Sequence, residues 1–129
     1  TYHSRHGARQ ESDYVFIRQG LQYVLDKTQQ PITVLEVGFG TGLNALLTWT
    51  AAELLHRKIN YLTLETFPLP ATVWKQLNYG NTPEEEKKFA AIHEAGWNEW
   101  ATLSEIFSLH KKQEAIQQAS VPPASIDLI

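Results

Sequence analysis

Residues 34–44 read Val-Leu-Glu-Val-Gly-Phe-Gly-Thr-Gly-Leu-Asn, and no other stretch limits the possible folds of this chain so strongly. An apolar run, Ile32 to Val37, stops at three glycines spaced one residue apart, Gly38, Gly40 and Gly42. Helical patterning follows from Leu43 to Leu55. Strand, glycine turn and helix form the opening unit of a nucleotide-binding α/β domain. Glycine is required where the chain turns sharply and a ligand must meet bare backbone, because a Cβ would intrude. The free amides at the start of the next helix then face that ligand.

The spacing narrows the ligand. A dinucleotide fingerprint needs a third glycine three residues after the second, and that position is Leu43. The Walker lysine is absent, which excludes a P-loop. Glu36 ahead of the glycines gives E-x-G-x-G-x-G, the form seen in S-adenosylmethionine-dependent methyltransferases, where the glycines make room for the amino-acid end of the cofactor. The bland alternative is a glycine-rich turn that binds nothing; three glycines in five residues are costly without a reason for close backbone approach. A second acid supports the cofactor reading. Tyr61 to Glu65 reads as another strand, with Glu65 at its carboxyl end, where parallel βαβ units hold ligands. A carboxylate there accepts from both hydroxyls of a ribose. By itself, a glutamate ending a strand is an ordinary solvated loop residue.

Composition excludes more than it selects. At 129 residues the chain is expected to form one domain, 1–129, with an N-terminal arm, 1–11, a cofactor-binding βαβ unit, 32–65, and a remainder to 129. The net charge of −3 gives no overall basic field for nucleic acid. No cysteine is present, which removes disulfides and thiolate zinc sites and fits a cytoplasmic location. No apolar run approaches a membrane span of about 20 residues. His3, His6, His56, His93 and His110 match no ligand spacing, so no metal is expected and they read as surface or satisfied histidines. No serine sits in a nucleophile elbow, and nothing marks a catalytic residue. The chain starts at Thr1 and holds no methionine, so it reads as an incomplete sequence.

The remaining elements follow from local signals. Ser12 or Asp13 caps a helix running to about Lys27, with Ile17, Leu21, Val24 and Leu25 on one face, although Tyr14 to Ile17 alone suits a strand equally. Pro68 and Pro70 make a rigid link, then a short helix runs to Leu77 and a turn spans Tyr79 to Asn81. Thr82, Pro83 and three glutamates start a helix that ends near Glu94. Trp97, Trp100, Leu103 and Phe107 suggest an apolar cap. Phe107 to Lys111 is a third strand, Gln113 to Ala119 a helix, and Ser125 to Ile129 the start of a fourth strand.

Three segments together resemble one family. Tyr2-x-Ser4 with Gly7 and Glu11, then Glu36-Val-Gly-Phe-Gly-Thr-Gly-Leu-Asn44, then Leu64-Glu65-Thr-Phe-Pro-Leu69 look like the MnmC-like methyltransferase domain, from about Tyr2 to the C-terminus. The resemblance implies a Rossmann-like class I methyltransferase fold, partial here, with a mostly parallel sheet and flanking helices. It implies S-adenosylmethionine as cofactor, held by Glu36, Gly38, Phe39, Gly40, Thr41, Gly42, Asn44, Glu65, Thr66 and Phe67. It implies transfer to the aminomethyl group of 5-aminomethyl-2-thiouridine at the tRNA wobble position, with an FAD-dependent oxidoreductase, fused or separate, acting upstream. It also puts Ser4, Gly7 and Glu11 near the mouth of the cofactor site. Arg5 and Arg9, without local acids, are candidates for phosphate contact.

Two departures qualify that picture. The family carries Gly-Asp after the third strand, whereas Lys111-Lys112-Gln113-Glu114 follows here, so the acid is missing or shifted. The family's D-x-F-x-P segment, beside the substrate amine, would come after Ile129. Two other functions therefore stay open: a binding domain that holds cofactor without catalysis, and a methyltransferase acting on a small metabolite, which the acidic balance favours over tRNA.

Overall fold

In a computed structural model of the chain, residues 2–77 and 82–115 are described, residues 2–12 by their backbone alone. The elements are α1 (Tyr2–Leu25), β1 (Ile32–Val37), α2 (Leu43–Leu55), β2 (Ile59–Leu64), α3 (Ala71–Trp74), α4 (Pro83–Glu94), β3 (Trp100–Ser104) and β4 (Phe107–Lys112). The strands form one mixed sheet in the order β1-β2-β4-β3. β1, β2 and β4 are parallel, so their carboxyl ends share one edge, and β3 runs antiparallel to β4. A parallel pair needs a crossover, and α2 supplies it between β1 and β2.

Sheet periodicity divides the core. Ile32 and Val34, Ile59 and Tyr61, and Phe107 and Leu109 pack with Leu21, Leu25, Leu46, Trp49 and Phe89 from the helices. Leu35, Leu62 and Leu64, on the alternate positions, form a second and smaller buried cluster. β1 and β2 therefore bury residues of both parities, which is why each reads as a nearly continuous apolar run. Trp49 stacks on Phe107 with ring centroids 5.2 Å apart and planes 7° from parallel. This ties α2 to the first residue of β4.

The α4 start follows its sequence signal. Thr82 Oγ1 accepts from the Glu85 amide at 3.1 Å, proline opens the helix, and Glu84 to Glu86 fill its first turn. Two expectations need correction. The first helix begins at Tyr2, so the expected arm, 1–11, is helical from Tyr2 onward and Ser12 and Asp13 lie within α1. No proline interrupts residues 2–12, and Gly7 costs a helix only about 1 kcal/mol relative to alanine. The strand alternative for Tyr14 to Ile17 falls with it. Trp100 to Ser104, expected as part of an apolar cap, is strand β3, joined to β4 through Glu105 and Ile106. That turn lacks the Asn-Gly or Gly signal of a tight hairpin, so nothing local announced it. The turn expected at Tyr79 to Asn81 lies outside the described residues. So do all but the first residues of the helix expected at Gln113 to Ala119, and the strand expected at Ser125 to Ile129.

Candidate functional site

The glycine turn leaves β1 at the carboxyl edge of the parallel strands. Gly38, Gly40 and Gly42 have φ of +90°, +57° and +86°, the left-handed region that side chains disfavour. The Gly38 amide continues the ladder by donating to the Leu64 carbonyl at 2.7 Å. A Cβ built on Gly38 or Gly40 meets nothing within 4 Å, and both residues are exposed. At Gly42 it would come within 2.9 Å of both His93 and Phe39. The first two glycines thus leave open space beside bare backbone, and the third makes room for protein. Gly42 also caps α2 with no side-chain hydrogen bond, so the helix begins with uncapped amides.

Glu65 lies one residue past β2, opposite the turn. Its Oε1 accepts from the Gly40 amide at 2.8 Å and its Oε2 from the Phe67 amide at 3.1 Å. Each carboxylate oxygen has two lone-pair sites, so each retains one for a further donor. Thr66 and Phe67 are exposed next to it, the Phe67 side chain at 81%. Phe39, in contrast, is buried with its ring against His93 and Trp97, on the protein side of the turn. Thr41 gives its carbonyl to His93, and Asn44 is exposed in the first turn of α2.

Glu36, the last inward-facing residue of β1, sits largely buried with Thr63 Oγ1 donating to its Oε1 at 2.8 Å. Asn44 and Tyr61 also bond to it. Burial is the main cause that lifts its pKa from 4.5 to about 7; the three hydrogen bonds oppose the rise, and the Glu65 charge adds a little to it. Burial and then the Glu36 charge keep the Tyr61 phenol protonated. Glu36 also lines a cleft of about 570 Å³ between α1, β1 and the start of α2. Asp13, Phe16, Val37, Asn44 and Thr48 are among its other walls.

A raised carboxylate pKa stabilises the fold fully below the unfolded value, and that contribution is lost as pH rises through the folded value. The melting temperature should therefore fall from pH 5 to pH 8 by an amount that Glu36→Gln removes. The span from 4.5 to about 7 bounds the effect at about 3 kcal/mol. His93 and His110 are shifted down by burial, which acts in the opposite sense as pH falls, so the test is the difference between the parent and Glu36→Gln curves. Parallel curves across this range would show that Glu36 ionises freely.

The structure thus brings Glu36, the glycine turn, Asn44 and the 65–67 segment to one sheet edge. Ser4, Arg5, Arg9 and Glu11 fall where only the backbone is described, so their side chains are not placed at it. Three contributors escaped sequence reasoning. His93 reaches the turn from 52 residues away and carries no local signature. Asp13, read as a helix cap, lines the cleft instead. Glu114, two residues past β4, donates its amide to the Glu65 carbonyl at 3.1 Å. Its carboxylate pairs with Lys112 at 3.4 Å. Among the described residues no group of histidine and acidic side chains is arranged to hold a metal, and no helix is long and apolar enough to cross a membrane.

No family model matches the chain. Curated proteins do. The tRNA 5-methylaminomethyl-2-thiouridine biosynthesis bifunctional protein MnmC of Magnetococcus marinus is 40% identical over 72 residues, which is 53% of this chain and 10% of that protein. The likeness is to MnmC. Proteins of the same name from Burkholderia mallei and Burkholderia pseudomallei are 37% identical over 70 residues, 52% of this chain and 11% of theirs. The resemblance to MnmC read from the sequence is thus found again in whole-protein comparison, over about half of the chain. The chain spans about a tenth of the length of these MnmC relatives.

Proposed function

We propose that the chain is the S-adenosylmethionine-binding part of a methyltransferase that modifies tRNA, folded as a partial Rossmann-like class I unit. One observation carries the reading: two exposed, left-handed glycines with open space beside them follow a half-buried acid, Glu36, and stand against a strand-end acid, Glu65. The open space fits a ligand laid on backbone, and the uncapped α2 amides and the spare lone pairs of Glu65 fit its polar groups. On this reading Gly38, Gly40 and Asn44 hold the amino-acid end and Glu65 the ribose. The exposed Phe67 ring offers a face to the adenine.

When bound, the cofactor would supply an activated methyl group for transfer to an amine nitrogen, with the thioether as leaving group and one proton released from the amine. The chain's own part is positioning, by fixing the turn, and a carboxylate at Glu36 that balances a nearby ammonium. A 2-thiouridine of tRNA as acceptor is supported by the name of the MnmC relatives, which speaks of tRNA 5-methylaminomethyl-2-thiouridine biosynthesis. tRNA contact is assigned to Arg5 and Arg9, and the site of action to the cytoplasm.

Calorimetric titration of the chain with S-adenosylmethionine, with NAD and FAD as controls, tests the cofactor. Saturable binding of S-adenosylmethionine alone is expected; its absence overturns the reading. In the protein containing this chain, Arg5→Ala with Arg9→Ala should weaken tRNA binding and reduce its salt slope by about two, one per phosphate contact, with cofactor affinity unchanged. An unchanged slope would favour a small-metabolite acceptor.

A further inference from the structure

We propose that His93 is a positioning residue of the glycine turn, and that Gly42 is a glycine in order to admit it. The turn leaves Gly38 and Gly40 exposed, so its shape has to be imposed from the protein side. His93, in the last turn of α4, does this through its ring. Nε2 lies 2.6 Å from the Thr41 carbonyl, between Gly40 and Gly42. A carbonyl oxygen only accepts, so Nε2 bears the proton and the tautomer is fixed. The ring itself is held: it stacks on Trp74 at 4.7 Å and 12°, and meets the edges of Phe39 at 5.3 Å and Phe89 at 4.6 Å. A Cβ on Gly42 would come within 2.9 Å of Nε2 and equally close to the Phe39 ring that packs on it, which accounts for the one glycine of the three that faces no open space.

The backbone of His93 is anchored as well. Lys111, 1% exposed on β4, donates from Nζ to the His93 carbonyl at 3.1 Å. Its ammonium lies 4.9 Å from the Trp97 ring and 5.7 Å from the Phe39 ring. A cation at the carboxyl end of α4 is also favoured by the helix dipole. The chain of contact runs from β4 through Lys111 to α4, and through His93 to the turn. Burial lowers the His93 pKa; the Thr41 bond opposes this, and the Lys111 charge adds a smaller lowering.

The inference rests on the cofactor reading only for what the turn binds, and the test separates the two. In the ligand-free chain, His93→Leu should speed amide hydrogen exchange of residues 40–43 by about tenfold, the scale of one buried hydrogen bond, with β1 and β2 amides unchanged. His93→Gln, which offers an N–H donor at similar reach, should restore part of that protection. S-adenosylmethionine affinity should fall about tenfold in His93→Leu and less in His93→Gln. Unchanged exchange in His93→Leu overturns the proposal; absent cofactor binding in the parent overturns only the cofactor reading. If His93→Leu fails to fold, nitrogen chemical shifts of the parent decide. The Nε2–H tautomer with a protected proton supports the role, and the Nδ1–H tautomer sinks it.

Discussion

Gly40→Val should weaken S-adenosylmethionine binding by at least about a hundredfold, roughly 3 kcal/mol, while the chain remains folded. A Cβ on Gly40 meets no protein atom within 4 Å, so the valine side chain starts in open space and grows into the volume assigned to ligand. The structure also puts a cost on the fold. At φ +57° a β-branched residue is strained, by about 1–2 kcal/mol on the usual left-handed penalty. A melting temperature lower by several degrees should accompany the lost binding. Gly40→Asn separates the two effects, because asparagine tolerates the left-handed region and still projects into the ligand space. It should lose binding with little change in melting temperature. Calorimetry giving undiminished affinity for either variant would remove the turn from the site.

The glycine turn and its flanking strand and helix were legible because each is coded locally. The apolar run of Ile32 to Val37, the glycine spacing and the α2 pattern each lie within a dozen residues. The Thr82-Pro83 helix start was legible for the same reason. β3 was not, because Glu105 and Ile106 make its hairpin without the residues that mark one. The start of α1 was misread because Ser12 and Asp13 are good caps in isolation, and a cap signal means nothing where the chain upstream is already helical. At the site, the residues assigned to ligand contact, through backbone or a strand-end acid, left a pattern in the sequence. Those that support it did not. His93, Lys111 and Glu114 come from α4, β4 and the segment after β4, and only the parallel order β1-β2-β4 brings them to the edge occupied by Gly40 and Glu65.

Glu65→Ala should lower S-adenosylmethionine affinity by more than the tenfold expected of lost ribose contacts, because the carboxylate also shapes the site before ligand arrives. Oε1 holds the Gly40 amide and Oε2 the Phe67 amide, so one side chain ties the turn after β1 to the segment after β2. Hydrogen bonds to a charged acceptor are worth about 1.5–3 kcal/mol each when they are well shielded, and this residue is half-buried, which sets the lower figure as the guide. Alanine removes both ties and both spare acceptor sites together. Glutamine keeps one oxygen, while its amide group opposes either the Gly40 or the Phe67 N–H as donor against donor. The order of affinity should therefore be parent, then Glu65→Gln, then Glu65→Ala. Hydrogen exchange on the free chain distinguishes the two contributions, since the staple, unlike a ribose contact, holds the Gly40 amide before any ligand is present. If Glu65→Ala frees that amide yet binds as tightly as the parent, Glu65 is a staple and the ribose is held elsewhere. If it loses affinity with the amide still protected, the carboxylate acts on the ligand directly.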